Sequence, residues 1–173
     1  MDAPAIYLKS DFIHSTDALF QHIKESVSWD ERMKSRKTAS FGVSYNYSQI
    51  SYKQTSMPSQ IQQVCTEIHG VLGFFPNNCL LNYYPNGNSS MGFHSDSSEE
   101  LAEGTGVAIV SLGSVRSIVY RHKHKKSIKF SYPLPNGSLL YMSNEIQEQW
   151  LHAILKAPEV GERISLTFRL IVK

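Results

Sequence analysis

Apolar residues recur at helical spacing in two stretches of the first third of the chain. Leu19, Phe20, Ile23 and Val27 would share one face of a helix, with Ser15 placed to cap its start. Ile61, Val64, Ile68 and Leu72 would share the face of another, beginning near Pro58, a favoured first-turn residue, and stopping around Gly70 to Gly73. Between them, Arg36 to Tyr52 is polar and aromatic, with Tyr45, Tyr47 and Tyr52 set among serines and asparagines. From Asn78 onward the pattern shortens to β-rich runs: Cys79–Tyr84, Val107–Leu112, Ile118–Arg121, Ile128–Tyr132, Ser138–Met142, Trp150–Ile154 and Arg163–Val172. Asn86-Gly87, Gly104, Gly113, Asn136-Gly137 and Gly161 punctuate them. The chain is therefore expected to be mainly β with flanking helices (α+β), a sandwich or barrel-like fold for which the jelly roll is the natural candidate. With no internal repeat or low-complexity linker, one domain over 1–173 is expected, with N-terminal helices and the polar, aromatic segment between them over 1–75 and a jelly-roll core over 76–173.

Composition narrows the class without naming a chemistry. The 173 residues are 41% apolar and 18% charged, enough for one real core and ordinary for a globular protein. No run approaches the roughly 20 apolar residues of a membrane span. The start, Met1 to Ser10, carries Asp2 and lacks the basic and apolar regions of a signal peptide. Cys65 and Cys79 match no metal or redox pattern and suit a reducing compartment, so a cytoplasmic location is expected, or a nuclear one in a eukaryote. The net charge of +2 is small, but it is unevenly spread. Arg32, Lys34, Arg36 and Lys37 form one basic cluster, and Arg121, His122, Lys123, His124, Lys125 and Lys126 form another. Such runs suit nucleic-acid phosphates, although charge alone favours solvated loops.

Candidate chemistry begins at Gly92-Phe93-His94-Ser95-Asp96. On extended chain His94 and Asp96 face the same way, so an imidazole nitrogen and a carboxylate oxygen can meet one ion. A third ligand has to come from elsewhere. His152, on the later strand beside Trp150 and Leu151, is one candidate among His14, His22, His69, His122 and His124. Two histidines and one carboxylate on one face of an octahedron leave three positions open, the arrangement by which iron(II) admits a co-substrate and dioxygen together.

A second constellation lies at the C-terminal strand. From Arg163 to Leu170 the residues alternate strictly: Ile164, Leu166, Phe168 and Leu170 on one face, Arg163, Ser165, Thr167 and Arg169 on the other. Two arginines six residues apart stand ~20 Å from end to end, and strand twist with long side chains would let both approach one dicarboxylate. Arginine suits that task through its planar, permanently charged fork. An exposed edge strand with surface arginines is the alternative.

The residues then match a known pattern. Leu81-Asn82-Tyr83-Tyr84-Pro85-Asn86-Gly87, His94-Ser95-Asp96-Ser97-Ser98-Glu99-Glu100-Leu101, Ser111-Leu112-Gly113-Ser114-Val115-Arg116, Tyr120-Arg121-His122-Lys123, Gly137-Ser138-Leu139-Leu140-Tyr141-Met142, Trp150-Leu151-His152 and Arg163-Ile164-Ser165-Leu166-Thr167-Phe168-Arg169 follow one another in order. Together they resemble AlkB-type dioxygenases, the oxidative dealkylation repair enzymes. The resemblance implies a double-stranded β-helix, a jelly roll with the metal between its sheets. It implies His94, Asp96 and His152 as iron(II) ligands, and Arg163 on the distal carboxylate of 2-oxoglutarate, assisted by Asn82 and Tyr84. Arg169 would hold the end nearer the metal, with Ser165 beside it, and dioxygen would be the second co-substrate.

Upstream, Arg36-Lys37-Thr38-Ala39-Ser40-Phe41-Gly42 and Tyr45-Asn46-Tyr47-Ser48 resemble the family's substrate lid. There Tyr47, or in second place Tyr45, would stack on a flipped base, unless both simply pack the lid. Ser98 stands where some relatives carry an acid, with Glu99 next to it; Glu99, Arg36 and Arg121 complete the candidate substrate contacts. The implied function is oxidative demethylation of 1-methyladenine or 3-methylcytosine in DNA or RNA, releasing formaldehyde, succinate and CO2. Methylated nucleic acid is then the expected partner, with no membrane, no obligate protein partner and a monomer. The alternative, prompted by the short N-terminus and modest charge, is a 2-oxoglutarate-dependent hydroxylase or demethylase of a protein, lipid or small molecule.

Overall fold

The computed structural model describes residues 2–47 and 50–172; Ser48 of the lid motif lies outside them. Two antiparallel sheets face each other. The larger has the order β1 (Tyr7–Lys9), β10 (Leu139–Met142), β7 (Val107–Gly113), β12 (Arg163–Arg169), β5 (Asn78–Tyr84), β2 (Lys37–Gly42). The smaller has the order β6 (Met91–His94), β11 (Trp150–Ile154), β8 (Arg116–His122), β9 (Lys129–Leu134). A separate hairpin of β3 (Tyr45–Tyr47) and β4 (Ile50–Tyr52) follows β2. This is the expected jelly roll.

The period-2 pattern of the central strands decides what lies on each side of the large sheet. Cys79, Leu81 and Tyr83 of β5, Ala108, Val110 and Leu112 of β7, and Ile164, Leu166 and Phe168 of β12 share one apolar cluster. That cluster is closed from outside by α1 (Thr16–Ser26) through Phe20 and Ile23, and by α2 (Ser59–Leu72) through Ile61, Val64, Cys65 and Ile68. Both helices stand where their periodicity places them. Ser15 occupies the N-cap of α1 but makes no side-chain cap bond, and α2 ends on Gly73 in the left-handed region. The opposite faces of β5, β7 and β12 look into the space between the sheets, where Ile118, Tyr120, Trp150 and Ile154 of the smaller sheet belong to a second apolar cluster.

The structure corrects several expectations. The C-terminal strand ends at Arg169 rather than Val172: the Asn77 side chain takes both the N–H and the carbonyl of Ile171, which keeps only an isolated bridge to Leu101. The strand is central, not an edge: every residue from Arg163 to Arg169 is buried. Arg36 is no solvated loop charge but is 6% exposed. In the same cluster Arg32 pairs with Asp30, and Lys37 with Glu31 at 2.9 Å. Strands β1, β2 and β6, the β3–β4 hairpin and α3 (Asn144–Gln149) carried no sequence signal strong enough to be expected. Because β1 and β2 form the two edges of the large sheet, that sheet draws on residues from both sides of position 75.

The β3–β4 hairpin, the expected lid, is rooted at Gly42. Gly42 exchanges backbone hydrogen bonds with Thr55, and the next residue, Val43, donates to the Asn77 carbonyl. Gly42 has φ of +87°, and a Cβ built on it would lie 2.1 Å from the Asn77 carbonyl oxygen. Gly42→Ala is therefore expected to destabilise the fold by about 3 kcal/mol, from left-handed strain plus a backbone clash. Urea denaturation would show the midpoint falling with the slope unchanged.

Candidate metal centre

Three of the expected residues converge. His94 closes β6, and His152 is its register partner on the neighbouring β11, so their rings lie side by side, tilted 55° to one another with centroids 4.3 Å apart. Asp96 follows two residues after His94 and turns between them. Its Oδ1 lies 3.7 Å from His94 Nε2 and its Oδ2 lies 3.6 Å from His152 Nε2. The three donor atoms lie within 4.8 Å of one another, and no other such group occurs among the described residues. Adjacent ligands about 2.1 Å from one ion at right angles are ~3 Å apart, so a small inward movement closes the set on a divalent metal.

The protonation states suit that purpose. His94 Nδ1 lies 2.8 Å from the Gly92 carbonyl, so this nitrogen carries the proton and leaves the Nε2 lone pair for the cavity. Burial depresses the His152 imidazole to about 4, against a smaller opposing pull from Asp96, so the ring is neutral. Burial alone would raise the Asp96 carboxyl. The Arg169 guanidinium and the two imidazoles outweigh it and hold the group below the usual carboxylate range. Asp96 is further fixed by Gln147 of α3, whose Oε1 accepts from the Asp96 backbone N–H at 2.9 Å. Gln147 was not among the expected site residues, because the short helix that carries it has no periodic signature.

The large sheet supplies the facing wall. Asn82, Tyr84, Arg163, Ser165, Thr167 and Arg169 line the same cavity as the three ligands, and β5 and β12 bring Asn82 opposite Ser165 and Tyr84 opposite Arg163. The two arginines mark its ends. Arg169 donates to Asp96 Oδ1 at 3.2 Å beside the candidate metal ligands, and its guanidinium lies 4.6 Å from the Tyr45 ring centre. Arg163 donates to Ser111 Oγ at 2.9 Å and lies 5.0 Å from the Tyr84 ring centre. Nε and Nη1 of both arginines are buried with no hydrogen-bond partner among the described residues. Buried guanidinium donors without acceptors are costly, and a carboxylate at each end is the ligand that would satisfy them. The residues thus fit both groups, a divalent metal and a dianion. The inner cleft holds about 20 Å3 of free space, room for a water or two, so lining side chains have to shift to admit a diacid.

The remaining expected residues cluster at the mouth. A pocket of about 620 Å3 opens at His94 and Asp96 and is lined also by Met33, Arg36, Tyr45, Tyr47 and Phe93. Tyr45 and Tyr47 stack at 6.4 Å, and Tyr47 is 8% exposed. Glu99, exposed, lines a smaller side pocket with Tyr45 and Arg169. Arg121 lies 4.0 Å over the Phe93 ring at the rim. Of the histidines outside the site, His69 packs at a tilt against Phe75 and His122 meets Trp150 edge to face.

Comparison with known proteins agrees with this geometry. A family model described as the 2OG-Fe(II) oxygenase superfamily matches residues 9–169. The chain is 31% identical over 148 residues to the human DNA oxidative demethylase ALKBH2, covering 79% of this chain and 57% of that protein. It is 27% identical over 179 residues to the bovine alpha-ketoglutarate-dependent dioxygenase alkB homolog 3, covering 92% and 63%. It spans little more than half the length of the ALKBH2 relatives it matches. The solved structure of OsALKBH1 superposes with a TM-score of 0.73 over 98% of this chain and 99% of its own, at 16% identity, which shows a shared fold.

Proposed function

The chain belongs to the 2OG-Fe(II) oxygenase superfamily, and from that premise we propose that it removes N-methyl groups oxidatively from bases of DNA or RNA, of the 1-methyladenine or 3-methylcytosine type. The observation that carries this reading is the mouth pocket: it opens directly on His94 and Asp96 beneath a pair of stacked tyrosines.

His94, Asp96 and His152 would hold iron(II). Arg163 would pair with the distal carboxylate of 2-oxoglutarate, with Tyr84 and Asn82 alongside, while Arg169 and Ser165 would hold the end nearer the metal. Bound together with dioxygen, these groups supply the oxidation of an N-methyl carbon, with release of succinate and CO2, after which the hemiaminal falls apart to formaldehyde and the unmethylated base. The protein's part is orientation and exclusion of water. Tyr47 would stack on the flipped base, a contact worth ~1–3 kcal/mol. A cationic, mispaired methylated base costs less to flip than an intact one. Arg121, anchored on Phe93 at the rim, and the lysines that follow it in the β8–β9 turn would take the flanking phosphates. The similarity to a DNA oxidative demethylase supports the same substrate class.

The test is direct. Iron-loaded protein with 2-oxoglutarate and oligonucleotides carrying 1-methyladenine or 3-methylcytosine is expected to convert them to the unmethylated mass. Formation of succinate with no change in any DNA or RNA oligonucleotide would transfer the assignment to a protein, lipid or small-molecule substrate.

A further inference from the structure

Among the candidate substrate contacts, Arg36 has a different environment from the rest. Its guanidinium is buried, pairs with no carboxylate among the described residues, and directs each of its nitrogens at a protein acceptor. Nε donates to Asn82 Oδ1 at 2.8 Å. Nη1 donates to Ser35 Oγ and to the Ser90 carbonyl, each at 3.0 Å. Nη2 donates to the Tyr47 hydroxyl. Three parts of the molecule therefore meet on one rigid plane: Asn82 of β5 in the wall of the cavity, Ser90 just before the strand that ends in His94, and Tyr47 of the lid hairpin.

We propose that Arg36 is a positioning residue that couples occupancy of the co-substrate cavity to the placement of the lid, through the chain Asn82–Arg36–Tyr47. This deepens the function proposed above and rests on its assignment of the cavity to 2-oxoglutarate.

Three observations carry the coupling. First, the cavity between the arginines has about 20 Å3 free, and both Asn82 and Tyr47 line it, so a keto-diacid enters only if such side chains move. Second, a planar guanidinium satisfies all its partners in one arrangement. Displacing Tyr47 alone strips Nη2 of its acceptor in a buried place, which is costly, so Tyr47 and Asn82 move in concert. Third, Asn82 Oδ1 is taken by Arg36, so what Asn82 has to offer an anion is its amide NH2. Arg36 thereby sets the asparagine as a donor toward the cavity while holding the lid tyrosine. By linkage, nucleic acid seated against Tyr47 tightens 2-oxoglutarate as much as 2-oxoglutarate tightens nucleic acid.

The experiment reads the lid, not turnover. Hydrogen exchange in peptides covering residues 43–47 is followed in protein loaded with Mn(II), with and without saturating 2-oxoglutarate. In the wild type the co-substrate is expected to change lid exchange by ~5-fold or more. In Arg36→Met and Arg36→Lys, each titrated to saturation, that response is expected to vanish. Tyr47→Phe keeps the ring and drops only the hydroxyl; it is expected to lose most of the response and carries the test should the Arg36 variants fail to fold. Saturable 2-oxoglutarate binding with an unresponsive wild-type lid, or with the full response in the variants, would overturn this inference alone. Failure of the wild type to bind 2-oxoglutarate would overturn it together with the function it rests on.

Discussion

Replacing Asp96 with alanine is expected to weaken metal binding by roughly two to three orders of magnitude and, at micromolar metal, to abolish conversion of 2-oxoglutarate to succinate. Asp96 is the sole anionic donor of the three and lies within 3.7 Å of both imidazoles. Removing one of three protein ligands takes away roughly a third of a binding free energy on the order of 10 kcal/mol, two to three orders of magnitude in affinity. Asp96 is also the acid that faces Arg169 at 3.2 Å. Its loss leaves a buried guanidinium uncompensated, a change that costs ~3–5 kcal/mol in folding stability. The same substitution therefore carries two penalties, and His94→Ala separates them. The His94 side chain is 30% exposed and Arg169 keeps its partner, so this variant is expected to lose metal affinity by a similar factor at nearly wild-type stability. Calorimetric titration with Mn(II), alongside thermal unfolding without metal, reads both effects. Wild-type metal affinity in Asp96→Ala would refute the assignment of the centre.

Arg163→Met is expected to do opposite things to stability and to co-substrate binding. Arg163 is 1% exposed, with Nε and Nη1 unpartnered among the described residues. Burial lowers its tendency to hold the proton, against a smaller opposing pull from Tyr84, and the nearby Arg116 guanidinium pushes the same way as burial. Arg116 is itself buried and has no acidic partner among the described residues, its Nη2 donating to the Ser89 and Leu155 carbonyls. An interior with this excess of positive charge favours binding a dianion at the expense of folding stability. An apolar side chain of similar length at 163 removes the strain, so the ligand-free protein is expected to gain about 1–3 kcal/mol. In exchange, the bidentate grip on the distal carboxylate goes. A loss of about 2–5 kcal/mol corresponds to a rise in KM for 2-oxoglutarate of roughly 30-fold or more. Arg163→Lys keeps the charge but loses the fork, and is expected to fall between the two. Melting curves with and without 2-oxoglutarate test the pair of signs: the wild type should be stabilised by the ligand and Arg163→Met should not. An unchanged KM in Arg163→Met would place the carboxylate elsewhere.

These effects follow from which residues stand at the ends of one strand, and that much was readable in advance. The strict alternation from Arg163 to Leu170 put both arginines on one face. The spacing of His94 and Asp96 put two donors on another, and the order of the motifs along the chain pointed to His152. The periodicities of α1 and α2 were strong because each helix buries a single stripe against the sheet. Strands β1, β2 and β6 gave no such signal. They lie at sheet edges and are held by partners distant in sequence, so their local composition is not required to announce them.

What the sequence by itself determined was the chemistry and the periodicity: two imidazoles, one carboxylate, two guanidiniums, and the faces on which local spacing sets them. The tertiary structure alone decided that the polar face of β12 looks inward. It likewise decided that Arg36 is a buried hub rather than a surface charge, and that Gln147 braces Asp96. Those outcomes depend on pairings between residues separated by 46 to 73 positions, such as Arg36 with Asn82, Asp96 with Gln147 and Asp96 with Arg169. The alternation of a strand tells which residues share a face, but only the packing of the second sheet tells whether that face meets water or a metal.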